Sequence, residues 1–319
     1  MNRRRISVKI GLFPGSVPRA LLRIDELMNE IMKAETDGFD SFWVPHLSAR
    51  GFDALTVLAL AGLRTTRIEL GTAVVPTYPR HPTALTQQAI TTQAACGGRL
   101  SLGIGPSHRP AVEDSWGLSY EKPAHHIREY LSVMNQLVEE GSASFYGDLY
   151  RVEAQLETEG PKDVPILISA LAPVMLRIAG EMSNGTITWM SGLSATANHI
   201  VPRINNAAQQ AGRTAPRVCV GLPIAVTDDK QGGREQAAKL FQRYGTLANY
   251  RRVLDIESAD GPADVSIIGN EEEVESKLRE FSNAGATDFL ASIFPVGVDE
   301  EASSRRTYTL LSKLVGNID

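Results

Sequence analysis

The chain is poor in several things that mark large protein classes. It has two cysteines in 319 residues, Cys96 and Cys219, with no CxxC pair and no Cys/His cluster. Neither a disulfide framework nor a metal site is expected, and both thiols are expected to be buried in a reducing compartment. No stretch approaches the ~18 consecutive apolar residues of a membrane span. Arg3, Arg4 and Arg5 are followed by Lys9, Pro14, Pro18 and Arg19, not by the apolar core of a signal peptide. There is no basic excess either: the net charge is −5, which argues against a nucleic-acid partner. The sequence contains no GxSxG elbow and no P-loop, which disfavours a serine hydrolase or an NTPase. Gly103 and Gly105 form a G-x-G pair, but the third glycine position is His108, so a dinucleotide fingerprint is rejected. What remains is a cytoplasmic globular protein that handles a small molecule, with no membrane partner.

What is present is alternation. Apolar strands are expected at 7–12, 40–44, 68–75, 99–104, 164–168, 185–190, 218–226 and 286–294. Helices are expected at 20–36, 53–63, from Pro82 onward, 126–139, 173–181, 196–211, 235–254, 271–284 and 302–315. Asp53 suits an N-cap, Pro82 a first helical turn and Gly212 a C-cap. Residues 147–152 read as a short extended insertion. Eight strands alternating with helices predict an α/β fold, a closed (β/α)8 TIM barrel of one domain over 1–319. Insertions are expected at about 107–124 and 255–265, the second mobile, and the two together are expected to roof the pocket.

The stretch that organises the rest is 68–90, IELGTAVVPTYPRHPTALTQQAI. An apolar strand runs into Pro76, Pro79 and Pro82, which cannot donate to a ladder and so end it. In a barrel the strand C-termini carry the site, so Thr72, Thr77, Tyr78, Arg80 and His81 are expected to face a ligand. His46 ends the second strand, and an imidazole with an ordinary pKa near 6.5 suits proton transfer. His108 and Arg109 follow the fourth strand. Ser169-Ala170-Leu171-Ala172-Pro173 joins a strand to a helix N-terminus, whose free N–H groups suit a phosphate. Arg80 is expected to pair with an internal carboxylate. His125 and His126 point apart on a helix and are not read as a metal pair. Trp43 and Trp189 are expected mainly to pack the core.

The motifs LGTAVVPTYPRHP and GRLSLGIG, within a match running from Ile10 to Leu290, resemble the luciferase-like monooxygenase superfamily. The similarity is greatest to its branch of oxidoreductases that use the deazaflavin coenzyme F420. The resemblance implies a bacterial luciferase-like barrel, a homodimer and hydride transfer at C5 of the deazaflavin. It implies His46 as a catalytic proton carrier, and His108, which stands where the family has a Glu, is taken as the second catalytic candidate. It places Thr72, Ala73, Val74, Thr77, Pro106, Ser107, Ser169, Ala170, Leu171, Ala172, Val174 and Met175 against the cofactor. It also implies a non-proline cis peptide after Gly71-Thr72, between Ala73 and Val74. Two departures stand out: the family's Asp before the histidine is Pro45, and the Glu near position 108 is His108. An FMN-dependent monooxygenase and a cofactor-binding barrel without turnover are the alternatives.

Overall fold

A computed structural model describes residues 7–14, 23–47, 51–158 and 163–319. The strands are β1 (Lys9–Leu12), β2 (Ser41–Val44), β3 (Glu69–Thr72), β4 (Val75–Pro76), β5 (Leu100–Gly105), β6 (Ser142–Tyr146), β7 (Arg151–Gln155), β8 (Ile166–Ser169), β9 (Gly185–Trp189), β10 (Arg217–Val226), β11 (Ile267–Gly269) and β12 (Asp288–Ile293). The helices are α1 (Ile24–Thr36), α2 (Ala54–Gly62), α3 (Pro82–Ala95), α4 (Pro123–Glu140), α5 (Pro173–Met182), α6 (Leu193–Ala195), α7 (Val201–Gln210), α8 (Lys230–Phe241), α9 (Ala248–Ile256), α10 (Pro262–Val265), α11 (Glu271–Asn283) and α12 (Glu300–Leu314).

Parallel pairing runs β1–β2–β3–β5–β8–β9–β10–β12 and returns to β1, so the sheet closes on itself. The strands read as near-continuous apolar runs because both faces are covered. Side chains on their outer faces pack under the helices in one large cluster. Inside the bore, Phe13, Trp43, Leu167, Ile187, Cys219 and Leu290 form a second, smaller cluster. At the strand N-termini Arg217 pairs with Glu69 (2.8 Å) and Asp288 (2.5 Å), closing the bottom with charge. Cys96 and Cys219 are both free and buried.

All eight expected barrel strands form, and the expected helices correspond to observed ones. Four elements differ in detail. The strand expected over 68–75 is split into β3 and β4, and between them the Ala73–Val74 peptide is cis, as the resemblance implied. The helix expected over 235–254 is two helices, α8 and α9, parted by a 3-10 turn at Gln242–Gly245. It also begins earlier, because Asp229 caps it by accepting from Gly232 N–H and the glycines fall in its first turn. Residues 147–152 belong to a hairpin, β6–β7, docked on α4. Glu129 accepts from the N–H groups of Asp148, Leu149 and Tyr150, which fixes that hairpin's turn. The segment 255–265 holds the end of α9 and the short α10, with Pro262 and Val265 buried. The expected start of the first helix, residues 20–22, lies outside the described residues. No helix among them is long and apolar enough to cross a membrane.

Candidate active site at the barrel mouth

The C-terminal ends of β3, β4, β5 and β8 meet at Gly103 and Gly105. A Cβ on Gly105 would collide with Ser169 Oγ and come within 3.1 Å of Val74 Cγ2. A Cβ on Gly103 would collide with the Thr72 carbonyl and lie 2.5 Å from Ile187 Cδ1. The two glycines therefore allow the Ala73–Val74 stretch and the Ser169 turn to approach from opposite sides. Ala73, Val74 and Ser169 are half-buried, so each still presents surface to the mouth.

Thr72 is different from what its position promised. Its hydroxyl donates to the Gly103 carbonyl at 2.7 Å and accepts from Gly103 N–H at 2.9 Å, and the residue is fully buried. That hydroxyl knits β3 to β5 and is spent on the wall. Thr77 is equally buried, with its Oγ1 2.8 Å from His126 Nε2 and 3.3 Å from the Gly105 carbonyl. Pro106 is buried and Ser107 is half-buried at φ 62°. The Ser107 carbonyl accepts from Tyr120 O–H at 3.1 Å.

At α5, Ala172 is the N-cap and makes no side-chain cap, and Pro173 has no N–H to offer. The N–H groups of Val174 and Met175 have no intrahelical acceptor and point out of the helix start. Val174 is exposed and Met175 half-buried. Ala170 is buried, and the Leu171 carbonyl is 2.7 Å from His199 Nε2, which anchors the turn to the helix beyond β9.

His46 lies in a polar cluster. Arg80 donates to Asp53 Oδ2 at 2.6 Å and to Gln88 Oε1 at 2.6 Å, so it does pair with an internal carboxylate. His46 Nδ1 accepts from Ala54 N–H at 3.3 Å, while its Nε2 faces an Arg80 nitrogen at 3.4 Å. Both ring nitrogens thus face donors. Burial and the Arg80 charge hold its pKa below the ordinary value, against the pull of Asp53. His108 lies across the mouth. Its ring is 5.4 Å from that of Tyr250, and its nitrogens make no hydrogen bond to any described residue. Burial, then the nearby Arg243, lowers its pKa as well.

The expected roof segments meet only in part: residues of 107–120 approach residues just upstream of 255–265. His108 meets Tyr250, and Tyr244 stands 5.3 Å from Tyr250. From there the rings continue to Trp189 (5.6 Å) at the end of β9 and Phe13 (5.3 Å) after β1. Trp43 is fully buried with Nε1 bonded to Ser41, a packing role, whereas Trp189 is half-buried at the mouth. His126 is buried, with Tyr78 stacked on it at 4.0 Å, and its neighbour His125 is half-buried beside Glu129. Sequence reasoning did not single out Tyr244 and Tyr250, whose rings stand on this side of the mouth. Among the described residues His125, Glu129 and Asp148 gather closely enough for a cation, but Glu129 is already taken up by the hairpin N–H groups.

Comparison with known proteins bears on the whole chain. It is 25% identical over 341 residues to 5,10-methylenetetrahydromethanopterin reductase of Methanopyrus kandleri, covering 93% of this chain and 95% of that one. It is 29% identical over 224 residues to F420-dependent glucose-6-phosphate dehydrogenase of Intrasporangium calvum, covering 65% and 67%. The solved structure of an F420-dependent secondary alcohol dehydrogenase in complex with an F420-acetone adduct superposes with a TM-score of 0.77 over 98% of this chain and 99% of that one, at 19% identity. The family model described as luciferase-like monooxygenase matches residues 9–303. On the strength of that match, with the closed barrel and the glycine-lined mouth at its centre, the chain belongs to the luciferase-like monooxygenase family.

Proposed function

We propose that the protein is a coenzyme F420-dependent oxidoreductase acting on a small organic substrate at the barrel mouth. The observation that carries the reading is the approach at Gly105, where Val74 and Ser169 close in from two sides. That approach brings the Ala73–Val74 stretch near the turn that leads into α5, which supports the reading of a ring beside a helix start whose N–H groups donate to a phosphate. The residues present fit such a group. Ala73 and Val74 offer a low surface for the ring, and the N–H groups of Val174 and Met175 offer donors for the phosphate. Thr72, Thr77, Pro106, Ser107, Ala170, Leu171 and Ala172 frame this cradle, Thr72 and Thr77 through the backbone they fix.

When bound, the deazaflavin supplies hydride exchange at C5, and the protein supplies orientation and proton handling. His108 is assigned the proton, because its ring nitrogens are free and it is neutral near pH 7. His46 is assigned as a second catalytic residue: in the neutral ring Nδ1 accepts from Ala54 N–H, which leaves the ring proton on Nε2 beside Arg80. The reading of FMN as cofactor is the weaker one: the F420-dependent dehydrogenase is matched by sequence at 29% identity. A homodimer is part of the proposal, supported by Leu60 and Leu63, which lie 39% and 75% exposed on or beside α2. So is a cytoplasmic location, supported by two free, buried thiols.

The test is titration of the purified protein with oxidised F420 and with FMN, followed by loss of deazaflavin absorbance on adding a panel of alcohols and aldehydes. Saturable F420 binding with substrate-dependent bleaching is expected. Tight FMN binding with oxygen uptake, and none with F420, would refute the reading.

A further inference from the structure

Arg243 carries a charge that the cradle just described does not use. The residue is exposed, and it makes no ion pair with and donates no hydrogen bond to any described residue. Its place is fixed all the same. It lies in the 3-10 turn Gln242–Gly245, where its carbonyl accepts from Thr246 N–H at 3.3 Å and from Thr246 Oγ1 at 2.9 Å. The next residue, Tyr244, is wedged edge to face between Trp189 at 5.6 Å and Tyr250 at 5.3 Å. Tyr250 in turn meets His108 at 5.4 Å. Arg243 stands close enough for its charge to act on both Tyr244 and His108.

Other cations near the mouth are already matched: Arg80 by Asp53 and Arg109 by Glu113. Arg243 has no such carboxylate among the described residues, and it stands beside the group assigned the proton. A lone cation there opposes the positive charge that His108 takes on when it accepts a proton. An anion bound on Arg243 would cancel that opposition at the moment the substrate arrives. The same wall is short of acceptors, since Trp189 Nε1 is buried without a partner among the described residues. A carboxylate only accepts, and its two oxygens match the two parallel N–H groups of a guanidinium.

We infer that Arg243 anchors the substrate, and that the substrate is an organic carboxylate whose apolar body packs on the rings of Trp189, Tyr244 and Tyr250. The inference rests on the proposed function and narrows its substrate. Those three rings are each half-buried, so surface remains for the body. Because Arg243 and His108 are neighbours, the carboxylate lies close, on the substrate, to the group that exchanges a proton with His108. A phosphate monoester carries between about 1.5 and 2 negative charges at neutral pH. One unmatched guanidinium beside a neutral imidazole balances a single charge, which favours the carboxylate.

The test is calorimetric titration of wild type, Arg243→Gln and Arg243→Lys with phenylacetate, phenylacetamide and phenyl phosphate, with and without saturating F420. Phenylacetate and phenylacetamide share a body and a shape and differ in charge. Wild type is expected to bind phenylacetate about tenfold more tightly than phenylacetamide, the lower end for a hydrogen bond to a charged group, as suits an exposed site. Arg243→Gln is expected to abolish that preference and leave phenylacetamide binding unchanged, and Arg243→Lys to keep part of it. Because the side chain has no protein partner, both variants are expected to melt with wild type. The proposal is overturned if wild type binds the acid and the amide alike, if the preference survives in Arg243→Gln, or if phenyl phosphate binds more tightly than phenylacetate. It is overturned too if Arg243→Gln weakens F420, which would give the cation to the cofactor, or if both variants melt lower, which would give it to the scaffold. F420 binding in the same samples separates the two readings. Arginine-dependent phenylacetate binding without F420 binding would sink the cofactor reading alone. F420 binding without the acid preference would sink only the subsite.

Discussion

His126 makes the stability of the mouth depend on pH. Its neutral ring is satisfied in one tautomer: Nε2–H donates to Thr77 Oγ1 at 2.8 Å, and Nδ1 accepts from Tyr150 O–H at 3.4 Å. Tyr78 stacks on one face and Tyr130 tilts against the ring at 5.6 Å. Burial pushes the pKa down to about 4, with Glu129 pulling weakly the other way. The unfolded chain, with an ordinary value near 6.5, binds the proton first as pH falls. A depressed pKa in a base therefore contributes stability that is present above about 6.5 and is lost between 6.5 and 4. At 1.36 kcal/mol per pH unit the full loss is about 3 kcal/mol, and about 2 kcal/mol of it falls between pH 7 and pH 5. His126→Gln keeps a donor for Thr77 and does not titrate. Urea unfolding of both proteins at pH 7 and pH 5 isolates the effect, since the carboxylates titrate in both. The variant is expected to be less stable at pH 7 and to lose about 2 kcal/mol less than wild type on acidification. Equal losses in the two proteins would show that His126 is not held neutral by its burial.

The other expectations concern chemistry and the cofactor cradle. Gly105→Ala drives a methyl into Ser169 and Val74, and is expected to cut F420 affinity at least tenfold in a fluorescence titration while the far-ultraviolet dichroism stays unchanged. His108→Gln should lower turnover by roughly 10²-fold, the scale of lost acid–base catalysis, with F420 affinity preserved. Since burial and Arg243 lower the His108 pKa, wild-type kcat/KM for substrate oxidation should rise with pH about a midpoint below 6.5 to a plateau; persistence of that limb in His108→Gln would place the proton elsewhere. His46→Ala should reduce turnover more than cofactor affinity if its ring accepts a proton, and an equal loss in both would assign it to the scaffold.

The fold was legible because its signals are local and repeated. Eight apolar runs, each bounded by Gly, Pro or a capping residue, are enough to count the strands, and parallel burial makes each run plain. Gly232-Gly233 was misleading for the opposite reason. Glycine reads as a breaker, yet Asp229 caps a helix across both, and Gly233 is needed where a Cβ would meet Ile268 at 2.7 Å. The cradle was half legible: the glycines and the α5 turn carry sequence signals, whereas the consumption of Thr72 by Gly103 depends on strand register that no pattern displays.

The resemblance leads one to expect an acid immediately before His46, and Pro45 occupies that place. The nearest carboxylate comes instead from Asp53, at 3.7 Å from Nδ1, delivered by the start of α2. This is not an equivalent arrangement, because Asp53 also caps α2 through Thr56 N–H and carries Arg80. Its charge is largely spent, and Arg80 is left facing Nε2. Asp53→Asn tests the balance. Asparagine still caps a helix, so α2 should persist, but Arg80 loses the charge that offsets it and His46 loses the carboxylate that raises its pKa. The His46 pKa, read from its Cε1 proton shift, is then expected to fall further below the wild-type value. Turnover as a base would begin at lower pH while the plateau rate drops, since a weaker base accepts less readily. A His46 pKa that stays put or rises would mean that Asp53 and Arg80 do not act on the imidazole as a pair, and that burial alone keeps it neutral.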